Sequence, residues 1–359
     1  MRHKVTKKEV TILAIETSCD ETAAAVLRGQ IKTRKPNFKL LSSVVNSQIK
    51  LHRATGGIVP EVAARAHIKN ILPITKLALK KAKLNLENID YLAVTAGPGL
   101  VVSLIVGVEF VKGLSLATDK PIIPTNHMAG HLYSVFIKHA SAVKFPIVAL
   151  VVSGGHTMLV LMKSFSNSKV IGQTVDDAAG EAFDKVARLL NLPYPGGPKI
   201  SKLAKLGQAI IQFPRPMLHE NNYNFSFSGL KTAVRYYIDD LQKTKNLPRT
   251  KTIAFGTRAD IAASFQQAII DVLVGKTMKA ARNYKAKTIA LSGGVAANLA
   301  LRQALLKLAK QQHLKFIVPN YELCTDNAGM IATAAYFKLK AGYKPVHFSK
   351  VKADPNWEL

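Results

Sequence analysis

The chain has 359 residues, 48% of them hydrophobic and 20% charged, a composition that excludes a disordered or fibrous protein and allows two ordinary domains. Lys and Arg number 50 against 22 Asp and Glu, a formal charge of +28, which points to a polyanionic partner, nucleic acid first. The only cysteines, Cys19 and Cys324, form no CxxC pair; this excludes a cysteine zinc site, and both read as small reduced core residues.

The start, Met1 to Ile15, is basic and then briefly apolar, but Glu16, Asp20 and Glu21 close it too early for a leader. No apolar run approaches the roughly 18 residues of a membrane helix, so a cytoplasmic protein is expected. Ile12–Leu27 reads as strand, small polar turn, strand, and Ser42–Val45 as a further strand. Gly56–Arg65 is a turn opening a long helix, with Pro60 suited to its first turn and Ile68, Ile71, Leu72, Ile74 and Leu77 at helical spacing. A strand at 91–96, a Gly-rich loop, a helix at 101–118 and a short strand at Pro121–Pro124 follow.

The pattern then repeats. Ile147–Leu161 is again strand, Gly-bearing turn, strand; 288–292, Ser292–Asn298 and 297–311 are again strand, Gly-rich loop and helix. Lys315–Val318 reads as a strand and Ala328–Tyr336 as a final helix. A duplicated α/β unit predicts two similar lobes, 1–135 and 136–345, the second enlarged by a mainly helical insertion at about 176–250. The final helix, 326–341, is expected at the lobe junction, with a tail at 346–359.

His127 and His131 stand at i, i+4, which on a helix places both imidazoles on one face, as two metal ligands require. Met128 occupies the position where a zinc protease needs its glutamate, so protease chemistry is disfavoured. Asp326 is the best third ligand, although an aspartate there could equally cap a helix. The turn Val151, Val152, Ser153, Gly154, Gly155 can cradle phosphate through backbone N–H groups, or be an ordinary hairpin turn. Asn298 could hydrogen-bond a nucleoside lying on Ser292–Gly294, or the loop could be a plain strand-to-helix turn. Asp177, Glu181 and Asp184 share one helical face; they could bind hydroxyls or an amine, or be a solvated face paired with Lys185 and Arg188. Ser228-Gly-Leu-Lys231 fits the SxxK acyl-serine pattern, but no SDN or KTG accompanies it, and a helix cap is the better reading. No P-loop is present.

As a set, Glu16-Thr-Ser-Cys-Asp-Glu-Thr22, Gly56-Gly-Ile-Val-Pro-Glu61, Ala96-Gly-Pro-Gly-Leu100, Val152-Ser-Gly-Gly-His-Thr157, Asp176-Asp-Ala-Ala-Gly-Glu-Ala-Phe-Asp-Lys185, Ser292-Gly-Gly-Val-Ala-Ala-Asn298 and Cys324-Thr-Asp-Asn327 resemble the TsaD family of tRNA threonylcarbamoyladenosine transferases, in order, from about residue 11 to 345. The resemblance implies a two-lobed actin/hexokinase-like (ASKHA) fold. It implies transfer of threonylcarbamoyl from threonylcarbamoyl-AMP to the exocyclic amine of the adenosine 3′ to the anticodon, in tRNAs reading codons that begin with A. It places one divalent metal, iron before zinc, on His127, His131 and Asp326. Substrate contacts fall on Val151, Val152, Ser153, Gly154, Gly155, Asp184, Gly197 and Asn298. TsaB and TsaE partners are implied. One departure is Ala129, where bacterial members usually carry glutamate; both histidines remain. The alternative from another class is an ASKHA-type small-molecule kinase or ATPase, since one fold hosts many activities.

Overall fold

The computed structural model describes residues 8–141, 143–244 and 253–359, so the basic residues 1–7 and the end of the expected insertion, 245–250, lie outside the described residues. The chain divides into two compact units. The first takes the chain up to Val143, then Phe165–Asn167 and Pro319–Leu359; the second takes Lys144–Ser164 and Ser168–Val318. The return to the first unit at Pro319 comes ahead of the boundary at 345 read from the sequence.

In the first unit, β1 (Glu9–Glu16) is buried from Val10 to Glu16, as a continuous apolar run in a two-sided sheet must be. It pairs antiparallel with β2 (Glu21–Gln30), which pairs antiparallel with β3 (Asn37–Ser47). After a short α1 (Ile49–Arg53), α2 runs Pro60–Ala82, with Pro60 in its first turn and Lys83 in the left-handed conformation at its end (φ 56°). The fully buried β4 (Tyr91–Gly97) runs parallel to β1, and β5 (Ile122–Asn126) parallel to β4. The order is β3-β2-β1-β4-β5.

Between β4 and β5, α3 (Val101–Thr118) packs on α2 and β4. With a mean hydropathy of 1.7 over 18 residues it is long and apolar enough to cross a membrane, which the sequence reading had excluded. Its Glu109–Lys112 pair, 2.7 Å apart, and its packing within an α/β layer are those of a lobe helix. Next comes α4 (His127–Ser134).

The second unit repeats the plan. β6 (Ile147–Val152) pairs antiparallel with β7 (Thr157–Ser164), which neighbours β8 (Asn167–Gln173). Four helices follow: α5 (Ala179–Leu189), α6 (Gly196–Ala204), α7 (Ser228–Thr244) and α8 (Phe255–Asn283). Then β9 (Thr288–Ser292) runs parallel to β6, α9 (Leu299–Gln311) follows, and β10 (Lys315–Ile317) runs parallel to β9. The order β10-β9-β6-β7-β8 is the first sheet's order again.

The insertion is helical only in part. Residues 205–227 form an irregular segment, as Gly207, Pro214 and Pro216 require, laid along α8. Its amides and side chains are taken up by that helix: Gln208 N–H donates to Asp260 (2.8 Å), Ile211 N–H to Ser264 Oγ (3.0 Å) and Arg215 to Asp271 (2.9 Å). The buried Lys276 donates to the Asn222 carbonyl at 2.9 Å.

The chain closes through α10 (Ala328–Lys340), buried almost throughout and packed on β1, β2, β5 and α4 of the first unit.

Candidate metal centre

His127 opens α4 because Asn126 caps it: the Asn126 Oδ1 accepts the Ala129 N–H at 3.0 Å. Helical spacing then brings the His127 and His131 rings edge to face, 4.7 Å between centroids. Asp326 arrives from the turn before α10. The cap of α10 is Asn327, whose side chain accepts the Met330 N–H at 2.9 Å, so Asp326 does not serve as the cap. Its Oδ1 lies 3.1 Å from His131 Nε2 and 3.5 Å from His127 Nε2. One donor atom from each residue falls within 4.8 Å of the others.

These donors fit a metal. His131 is fully buried, yet neither of its ring nitrogens makes a hydrogen bond among the described residues. A buried imidazole without hydrogen bonds, facing a carboxylate oxygen, is costly unless a cation completes it. Two imidazoles and one carboxylate suit iron or zinc and leave coordination positions open.

Behind the triad stand residues to which the sequence reading gave no role. His127 Nδ1 lies 3.1 Å from Glu16 Oε2 and 3.0 Å from Ser18 Oγ. Glu16, fully buried at the end of β1, also accepts from Thr95 Oγ1 (2.7 Å) and the Ser18 N–H (2.5 Å). A carboxylate on the far nitrogen of a ligating histidine fixes its ring and raises its basicity. Burial pulls the His127 pKa down, but Asp326 and Glu16 outweigh it and raise it to about 9. Glu16 is lowered: burial raises it, and the His127 charge and hydrogen bond more than offset that. The signal was present, since an acid ending an apolar strand is a buried charge that needs a partner.

Neither Cys19 nor Cys324 is in a disulfide; Cys324 is buried, and burial pushes the Cys19 thiol well up, so neither is an activated nucleophile.

In the second unit the remaining expected residues form one connected series. The β6–β7 turn closes through Ser153 N–H to the His156 carbonyl (2.8 Å) and His156 N–H to Ser153 Oγ (3.2 Å). Val151 and Val152 are buried in β6, whereas Gly154 and Gly155 are exposed with open space beyond their Cα atoms. Gly180 on α5 lies against this turn; a Cβ there would stand 2.4 Å from the Ser153 carbonyl oxygen. One turn along α5, Asp184 accepts the Gly196 N–H at 2.7 Å, and burial raises its pKa despite bonds from Gly196 and Gly197. On α6, Ser201 Oγ accepts from Asn298 Nδ2 (2.9 Å), while Asn298 Oδ1 caps α9 through the Leu301 N–H (3.1 Å).

Asp177 and Glu181 pair with Lys185 at 2.6 and 2.8 Å, the solvated-face reading. Ser228 opens α7 and donates to Asp176 at 2.6 Å, the helix-start reading.

Two sheets of identical strand order make an actin/hexokinase-like fold, and the first unit adds a His–His–Asp cluster that could hold a metal. Solved structures agree on the fold: HypF of T. kodakarensis superposes over 93% of this chain with a TM-score of 0.61 at 14% identity, and a second, full-length HypF with 0.58 at 13%. This chain spans 48% and 56% of those two chains. The model of the family "tRNA N6-adenosine threonylcarbamoyltransferase" matches residues 39–333. Relatives of that name from Thermosipho africanus and Clostridium botulinum are 48% and 47% identical, covering 97% and 98% of this chain and 99% of each relative. The chain belongs to the tRNA N6-adenosine threonylcarbamoyltransferase family. It is therefore a tRNA-modifying transferase, and nothing in the family or its relatives favours the kinase or ATPase alternative.

Proposed function

We propose that the protein transfers threonylcarbamoyl from threonylcarbamoyl-AMP to the exocyclic amine of the adenosine 3′ to the anticodon, with His127, His131 and Asp326 holding one divalent metal, iron in preference to zinc. The observation that carries the metal reading is the buried His131 ring, bare of hydrogen bonds among the described residues and 3.1 Å from Asp326.

The acyl group is already activated as a mixed anhydride. The adenosine amine attacks its carbonyl carbon; a C–N bond forms, the C–O bond to the phosphate breaks, AMP leaves, and the amine loses one proton. A metal held by His127, His131 and Asp326 would supply Lewis-acid stabilisation of the negative charge that develops on oxygen. No protein nucleophile is needed, which agrees with two cysteines outside any activating environment. Glu16 and Ser18 keep His127 oriented. In the second unit the Ser153–Gly155 turn offers backbone N–H groups to the phosphate, since its glycines admit close approach. Asp184, through Gly196 and Gly197, and Asn298, through Ser201, hold α6 and α9 where a nucleoside contact is proposed.

The excess of cations supports binding of the tRNA through its phosphates. A TsaB-type partner fits an apolar surface of the first unit: Ile68 and Leu72 on α2, and Val101, Val102 and Ile105 on α3, are exposed on two helices that pack together. A TsaE-type partner completes the proposed set in the cytoplasm. The test is nucleoside mass spectrometry after incubating unmodified tRNA with the protein, threonylcarbamoyl-AMP, ferrous iron and both partners. Threonylcarbamoyladenosine that disappears in His127→Ala supports the reading; equal product from that variant in excess chelator overturns the metal assignment.

A further inference from the structure

We infer that residues 354–358, acting through Asn126, position the histidine helix and so set the affinity of the metal triad; this rests on the metal reading above.

Asn126 immediately precedes His127. Its side chain uses both ends at once: Oδ1 caps α4, while Nδ2 donates to the Trp357 carbonyl at 2.9 Å and to the Glu358 carbonyl at 3.2 Å. The amide's orientation is fixed by chemistry, because the reverse orientation would set its oxygen against two carbonyls and its NH2 against an N–H. The start of α4 is thereby tied to a segment more than 220 residues away in sequence.

That segment is itself anchored at several points. Asp354 N–H donates to the Ala96 carbonyl at 2.7 Å, at the end of β4, and the Pro355 carbonyl accepts the Gly99 N–H at 3.4 Å. Gly97 leaves the space it needs, since a Cβ there would fall 1.8 Å from the Asp354 carbonyl oxygen. Trp357 packs on the first unit's core beneath Lys338, whose Nζ lies 5.4 Å from its ring centroid and donates to the Pro124 carbonyl at 2.7 Å.

Two routes therefore converge on His127. The backbone route runs from 354–358 through Asn126. The ring route runs from the same β4–α3 loop, where Leu100 N–H donates to the Ser18 carbonyl (2.8 Å) and Ser18 Oγ meets His127 Nδ1. Metal ligands tolerate little displacement, and loss of an outer support typically weakens binding by about 10- to 100-fold. Asn126 touches no reacting atom in this scheme; it is a positioning residue.

The test titrates metal-free protein with Co2+ and follows the visible d–d band, alongside melting of the metal-free protein and the kinetics of transfer. Asn126→Ser and Asn126→Asp both keep an N-cap but lose the donors to the two carbonyls. Trp357→Ala removes the side chain that seats 354–358 on the core while Asn126 stays intact. The expected result is a Co2+ dissociation constant raised about tenfold or more in all three, with an altered band and a lower kcat, and an unchanged KM for tRNA. Wild-type affinity and spectrum in the variants, even with a lowered melting temperature, would overturn the proposal. So would weakening in the Asn126 variants with Trp357→Ala behaving as wild type. If the wild-type chain itself binds no Co2+, the metal reading falls and this inference with it, which is distinguishable from failure of the positioning role alone.

Discussion

Glu16 Oε2 lies 3.1 Å from His127 Nδ1, at the side of the imidazole opposite the triad. Without metal the pair is an ion pair, with His127 raised to about 9 by Asp326 and Glu16 against the opposing effect of burial. A cation taking the Nε2 position must displace a proton below that pH. Metal affinity is therefore expected to rise with pH up to about 9 and to saturate above it. Calorimetric titrations in two buffers of different ionisation enthalpy should show close to one proton released near pH 7.

Glu16→Gln removes the charge while keeping the shape. The His127 ring loses one of the two carboxylates that make it basic, and metal affinity is expected to fall by about 10- to 100-fold. A chelator-competition assay on both proteins checks this; equal affinity would show that Ser18 alone orients the ring.

His131→Ala should cost far more activity than fold. Its nitrogens hold no hydrogen bond among the described residues, and the one charged group it faces, Asp326, is partly exposed and keeps access to water. Turnover is expected to drop by about two to three orders of magnitude, the range for losing a main electrostatic stabiliser of an oxyanion. Metal content by mass spectrometry and the apo-protein melting curve, measured together, separate loss of metal from loss of fold.

Glu21 supplies a pH dependence of stability. Burial first, then the charge of Asp20, pushes its pKa from 4.5 up to about 8, although Ser47 Oγ donates to it. A raised carboxyl is protonated in the folded state where the unfolded chain has already ionised. Its contribution is present below pH 4.5 and is lost as pH rises through about 8. Glu21→Gln should flatten that decline, leaving the chelator-treated variant more stable than wild type by about 2–4 kcal/mol at pH 9. Denaturant melts at pH 5 and pH 9 decide it.

Gly180→Ala tests the phosphate turn. The added methyl would meet the Ser153 carbonyl at 2.4 Å and the Gly154 Cα at 2.8 Å, so the turn must shift. The expected outcome is a KM for threonylcarbamoyl-AMP raised about tenfold, with the KM for tRNA unchanged.

Local periodicity made most elements legible. The span 101–118 reads as a helix and is one, Pro60 opens α2, and the two hairpins repeat because their apolar strands repeat. The histidine pair was legible because i, i+4 spacing is a helical fact. Glu16 was not, because its partner lies 111 residues away and only sheet register brings the end of β1 to the start of α4. The insertion at about 176–250 reads as mainly helical; within it 205–227 is irregular, because of its prolines and its bonds to α8. Asn298 and Asp184 were read as reaching for a ligand; their polar atoms also meet neighbouring helices, a tertiary fact that no spacing encodes.

The first unit is discontinuous, and that has a bearing on biosynthesis. Its five strands and both histidines are complete by Ser134, yet α10, which packs on β1, β2, β5 and α4, and the carboxylate of Asp326 emerge only after the whole second unit. A ribosome making about 5–20 residues per second leaves that sheet face bare for roughly ten to forty seconds. A chain aborted anywhere in the second unit holds two imidazoles and no third ligand. If the triad holds the proposed metal, loading would report that translation has run past Asp326, and a truncated product would lack the proposed centre.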